Sequence, residues 1–184
     1  MLAVAEREQL PVAAARAGSP AAWEALFQRF QLPLYAYAFE LVRHEQAALD
    51  VVQETFIRAT RHLDSLRDDT RFGSWLFSIA HQKCVDRWRR SGREEPLEQG
   101  VADTLLDEMG DPGELLVRRE QEEQFMKLVE QLPPPQRAVL LLRFVEDFSL
   151  EEIAGITGTQ LGTVKSRMHY AKLALRKLVE ENIA

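Results

Sequence analysis

Behind a glycine near the C-terminal end of the chain stands a run of side chains suited to reading a polar surface: Thr159, Gln160, Thr163, Lys165, Ser166, Arg167 and His169. Hydroxyls, an amide and cations at these spacings offer hydrogen bonds to base edges and charge to phosphates. The residues before them dictate how they are held. Ser149 with Glu152 three residues on reads as a capping box, Ile153 and Ala154 allow close packing, Gly158 supplies a turn, and Val164 anchors a second helix inward. The spacing predicts a helix-turn-helix whose second helix reads bases with its N-terminal side chains and touches phosphates with its basic flank. The plainer alternative is a helical hairpin with a solvated basic face.

A second cationic cluster lies far upstream. Residues 81–93 hold Lys83, Arg87, Arg89, Arg90 and Arg93 against Asp86 alone, while residues 161–177 hold five cations and no acid. The net charge of −6 therefore hides a segregation. Twelve acids against three bases fall in residues 94–130, where they would repel DNA or imitate it. Nothing comparable points to catalysis. The four histidines, His44, His62, His81 and His169, are scattered, no His-Glu-x-x-His or phosphate-cradling glycine loop occurs, and His81 with Cys84 is a two-ligand coincidence. The single cysteine reads as a small buried apolar residue. No catalytic residue, metal or cofactor is expected.

Helical periodicity dominates and no strand alternation is found, so the expected fold is all-α. Ser19 before Pro20 opens a first helix with Trp23, Leu26, Phe27 and Phe30 on one face; Pro33 is expected to end it. Leu34 to Val42 then forms a second helix and Leu49 to Leu63 a third. Residues 64–70 read as a loop, and a fourth helix is expected from about Phe72 to Arg90. From Ser91 to Gly113 the composition turns to Gly, Pro, Asp and Glu, that of a flexible tether. Beyond it, helices are expected over 114–132, from the Pro133-Pro134-Pro135 break to Phe144, and from Ser149. Two small helical domains result, 20–92 and 114–184, with an N-terminal segment 1–19 and an acidic linker 93–113. The opening apolar stretch is too short for a secretory signal and no run approaches a membrane span, so a cytoplasmic protein without membrane insertion is expected.

The segment Leu132-Pro133-Pro134-Pro135-Gln136-Arg137-Ala138-Val139-Leu140-Leu141-Leu142-Arg143-Phe144, running into the helix-turn-helix, resembles region 4 of the extracytoplasmic-function sigma factors. Upstream, Val52-Gln53-Glu54-Thr55-Phe56-Ile57-Arg58-Ala59, then Phe72-Gly73-Ser74-Trp75-Leu76 and Asp86-Arg87-Trp88-Arg89-Arg90, resemble the region 2 of that family. The two halves occur in order, over about residues 20–92 and 114–181, and their joint occurrence is more specific than either alone.

The resemblance implies a subunit that binds bacterial RNA polymerase core, at its beta-prime clamp helices and beta flap, and directs it to promoter DNA. Asp50, Gln53 and Glu54 match the clamp-docking segment. Arg58 goes with them, and it and Arg61 can share that face or approach DNA. The loop 64–71 and the next helix match the part that holds a flipped base of the minus-ten element. The residues implied there are Arg61, Arg71, Gln82, Lys83, Arg87, Arg89, Arg90 and Arg93. The minus-thirty-five reader falls on Thr159, Thr163, Lys165, Ser166, Arg167, His169, Tyr170 and Lys172. Trp75 reads as core, while Trp88 is open between packing and DNA. The chain departs from the family pattern at Leu49-Asp50, usually an acidic pair, at Gln82, often Asn, and at Tyr170, often basic. An anti-sigma factor is a further implied partner, and a freestanding helix-turn-helix regulator is the competing reading.

Overall fold

The computed structural model describes residues 10–90, 125–144 and 146–183; the expected linker 93–113 and residues 114–124 lie outside them. Every regular element among the described residues is helical. A five-residue helix, α1 (Val12–Arg16), packs Val12 and Ala15 against α2 (Pro20–Val42). The expected start of α2 is met: the Ser19 hydroxyl accepts from the Ala22 N–H, with Pro20 in the first turn.

The expected break at Pro33 is not found. One helix of 23 residues runs through it. An interior proline costs about 3 kcal/mol through its missing N–H and its clash with the preceding turn. Here Phe30, Leu34, Tyr37 and Leu41 continue one buried face across Pro33, and their burial outweighs that local cost. The helix stops where Arg43 takes a left-handed conformation.

Helix α3 (Glu45–His62) buries Ala48, Val51, Val52, Thr55, Phe56 and Ala59, a single stripe at helical spacing. Two 3-10 turns, Leu63–Ser65 and Asp69–Arg71, form the loop expected there, pinned inward by buried Leu63 and Leu66. Helix α4 (Phe72–Arg90) matches its expected bounds and closes a bundle with α2 and α3. Phe30 meets Phe72 edge-on at 5.4 Å, and Phe77 is fully buried. Trp88 is resolved in favour of packing, since it is 9% exposed and its indole N–H donates to the Leu41 carbonyl at 3.1 Å.

The C-terminal part comprises α5 (residues 125–129), α6 (Pro134–Phe144), α7 (Leu150–Thr157) and α8 (Leu161–Ile183). It lies against the N-terminal bundle, α7 on α4 and α6 on α2, so that one buried apolar cluster runs through both. Phe148 meets Phe77 edge-on at 5.2 Å. Buried Arg137 donates to the carbonyls of Glu130, Leu132 and, across the divide, Glu40. Arg43 pairs with Glu130 at 2.6 Å.

Candidate functional site

The helix-turn-helix forms as its residues require. Ser149 and Glu152 cap each other reciprocally, Gly158 turns the chain at φ 65°, and the Thr157 and Thr159 hydroxyls bond at 2.9 Å across the turn. A side chain at Gly158 would be strained by this backbone even though space for it is open. Val164, Met168, Ala171 and Leu175 are the inward stripe of α8. That rotation leaves Lys165 exposed and Thr163, Ser166, Arg167 and His169 partly so on the first turns of the helix. Ser166 donates back to the Gly162 carbonyl, which leaves its oxygen as an acceptor. Tyr170 is exposed and stacks edge-on against His169. Lys172 leans over the Phe144 ring at 5.9 Å, at the side of α8 nearer α6.

In the N-terminal bundle Asp50, Glu54 and Arg58, of the residues implied for polymerase, meet Gln82, Lys83 and Arg87, of those implied for the minus-ten element, in one ladder of contacts between α3 and α4. Lys83 binds Glu54 at 2.7 Å, Arg87 reaches both Glu54 at 3.2 Å and Asp50 at 3.4 Å, and Arg58 donates to the Gln82 amide oxygen at 3.3 Å. The Lys83 ammonium, with Arg87 beside it, holds the Glu54 carboxyl below the usual carboxylate range. Gln53 stands exposed on the same helix. An open cleft of about 340 Å³ between the helices is lined by Glu54, Ile57, Arg58, Arg61, His62 and Lys83. The aromatic that lies behind this face, Phe56, is buried and packs on Phe27 with centroids 4.9 Å apart.

Arg89 and Arg90 are exposed at the C-terminal end of α4, where the helix dipole favours cations. Arg71 projects from the 3-10 loop, its side chain 73% exposed and 3.7 Å from Asp68. Arg93 lies outside the described residues.

Two features escaped the sequence reading. The first is Arg16 on α1, whose guanidinium reaches the loop before α4, binding the Leu66 carbonyl and the Asp69 carboxylate. A cation just ahead of the Gly18-Ser19 helix start was its one visible signal. The second is a buried polar group at the junction of the two bundles: Tyr37 Oη and His81 Nδ1 share a hydrogen bond of 2.8 Å, with Glu146 2% exposed nearby. Burial pushes the Glu146 carboxyl up to about 8, opposed by Arg29, and pulls His81 down to about 4, with Arg167 adding to that shift. Cys84 is fully buried, as expected, and its thiol is pushed up to about 12. Among the described residues no group of three or more His, Cys, Asp and Glu could hold a metal, and no helix is long and apolar enough to cross a membrane.

The family described as Sigma-70 region 2 matches residues 26–94, and that described as Sigma-70, region 4 matches residues 122–175. The chain is 31% identical to the RNA polymerase sigma-H factor of Pseudomonas aeruginosa over 95% of each. It is 30% identical to the ECF RNA polymerase sigma factor SigW of Bacillus subtilis, over 80% of this chain and 83% of that one. Among solved structures it resembles the sigma factor RpoE in complex with the anti-sigma factor NepR from Bartonella quintana. That match has 28% identity and a TM-score of 0.61, over 84% of this chain and 96% of RpoE.

Proposed function

The chain belongs to the extracytoplasmic-function sigma factors, and on that premise we propose that it binds RNA polymerase core and directs promoter-specific initiation through two separate DNA-reading modules. The observation that carries this is the coexistence, in one chain, of a helix-turn-helix with an outward polar face and a three-helix bundle bearing a charged face. Residues 20–92 are assigned to core binding and the minus-ten element, residues 114–184 to the minus-thirty-five element, and 93–113 to the tether between them.

Within the bundle, Asp50, Gln53, Glu54 and Arg58 face the beta-prime clamp helices. Arg61, Arg71, Gln82, Lys83, Arg87, Arg89, Arg90 and Arg93 form the track for melted DNA, and the loop 64–71 holds a flipped base. In the second module Thr159, Thr163, Lys165, Ser166, Arg167, His169, Tyr170 and Lys172 meet the upstream duplex, with the beta flap supporting the module from the polymerase side. Phosphodiester synthesis belongs to the polymerase and the chain itself is no enzyme. It works in the cytoplasm, and an anti-sigma factor is its expected inhibitor, as NepR is the partner in the RpoE complex.

Reconstitution with bacterial core polymerase and transcription from a promoter library randomised at both elements tests this directly. Initiation confined to promoters sharing two elements is expected. A chain that shifts duplex DNA on its own yet neither binds core nor supports initiation would be a freestanding regulator instead.

A further inference from the structure

We propose that Arg16 is a positioning residue for minus-ten recognition, clamping the two ends of the loop tip that holds the flipped base; this rests on the assignment of loop 64–71 to that element. The tip is Arg67-Asp68, and both residues are exposed. At its N-terminal end the Leu66 side chain is buried, and its carbonyl accepts from Arg16 Nη2 at 3.1 Å. At the far end the Asp69 carboxylate takes both terminal nitrogens of the same guanidinium, at 2.5 and 3.2 Å. One planar group therefore spans the tip from below, a geometry that a guanidinium supplies and an ammonium does not.

The tip is also braced internally. Asp68 accepts from the Thr70 N–H at 3.0 Å and from its hydroxyl at 2.6 Å, which fixes the second 3-10 turn and directs Arg71 outward. Arg16 is itself held, because Val12 and Ala15 of α1 are buried against α2. A short helix ahead of the residues matched as region 2 thus has a use: it carries the clamp. A loop ordered before DNA arrives loses less freedom on binding, and a tip of fixed shape discriminates between bases better than a loose one.

Two measurements test the clamp. In holoenzyme assembled from the full chain, Arg16→Ala is expected to flatten selectivity at the minus-ten positions by roughly fivefold. Core affinity and the minus-thirty-five profile should stay as in the wild type. Arg16→Lys should recover only part of the selectivity, and Asp69→Asn should add little to Arg16→Ala, since the guanidinium that Asp69 binds is already gone. A minus-ten profile unchanged by Arg16→Ala, or an equal loss at both elements, overturns the proposal.

Hydrogen exchange of the free chain provides a readout independent of polymerase. Faster exchange in Arg16→Ala confined to residues 66–70 is expected, and unchanged exchange there overturns the clamp even if the sigma assignment holds. A wild-type chain that fails to initiate at all would instead bring down the assignment of the loop, and the proposal with it.

Discussion

Two buried titratable groups give this protein opposite responses to pH. His81 is depressed to about 4, so the stability that comes from keeping it neutral is present above its unfolded value near 6.5 and is lost as pH falls through 4. Glu146 is raised to about 8, so its contribution is complete below about 4.5 and is lost as pH rises through 8. Its Oε2 is buried without a hydrogen-bond partner among the described residues, and the charged form would be poorly solvated. Glu146→Gln is expected to stabilise the chain at pH 7 by about 3 kcal/mol and to flatten the unfolding free energy between pH 5 and 8. Urea titrations across that range check it, and an unchanged slope would locate the effect elsewhere. For the base-reading candidates, Lys165→Ala should weaken minus-thirty-five binding by about 1–3 kcal/mol if the side chain touches a base. Equal weakening on every sequence in a selection would mark it as a phosphate contact.

Among the elements, the helix-turn-helix is the piece most dependent on one residue without a side chain. Gly158→Ala is expected to cost about 1 kcal/mol, because φ 65° is unfavourable for any residue with a Cβ, and thermal melts of the full chain would register it. This element was also the most legible in advance. Ser149, Glu152, Gly158 and Val164 each act on residues within a turn or two, so local chemistry alone specifies them. The same holds for the bounds of α4. Pro33 was misread for the converse reason: its local preference is to end a helix, and the packing of Phe30, Leu34 and Tyr37 that overrides it comes from α3 and α4, far along the chain. Trp88 stayed open because its spacing fits both a core and a DNA-facing position until Leu41 is known to lie above it. The ladder joining Asp50 and Glu54 to Lys83 and Arg87 was invisible for a related reason, since it depends on the register of α3 against α4.

At the scale of the molecule, the two bundles are packed together, whereas the proposed activity needs them apart. Promoter elements centred roughly 25 base pairs from each other lie roughly 85 Å apart along the duplex. The 34 residues 91–124, fully extended, reach at most about 120 Å, so the chain length permits that separation. Packed and separated forms must then interconvert, with the Phe77 and Phe148 contact among the groups that hold the first. Phe148→Ala is expected to cost this packing about 3 kcal/mol and to enlarge the radius of gyration seen by small-angle scattering. A scattering curve identical to the wild type would show that the apolar contact is dispensable. The hold of Arg137 on the N-terminal bundle works differently, because its acceptor there is the backbone carbonyl of Glu40. Every amino acid at position 40 provides that oxygen. A chimera joining this C-terminal module to the N-terminal bundle of a distant relative would therefore keep the acceptor without any matched substitution, provided the end of α2 follows the same path, and only changes on the arginine side could remove the contact.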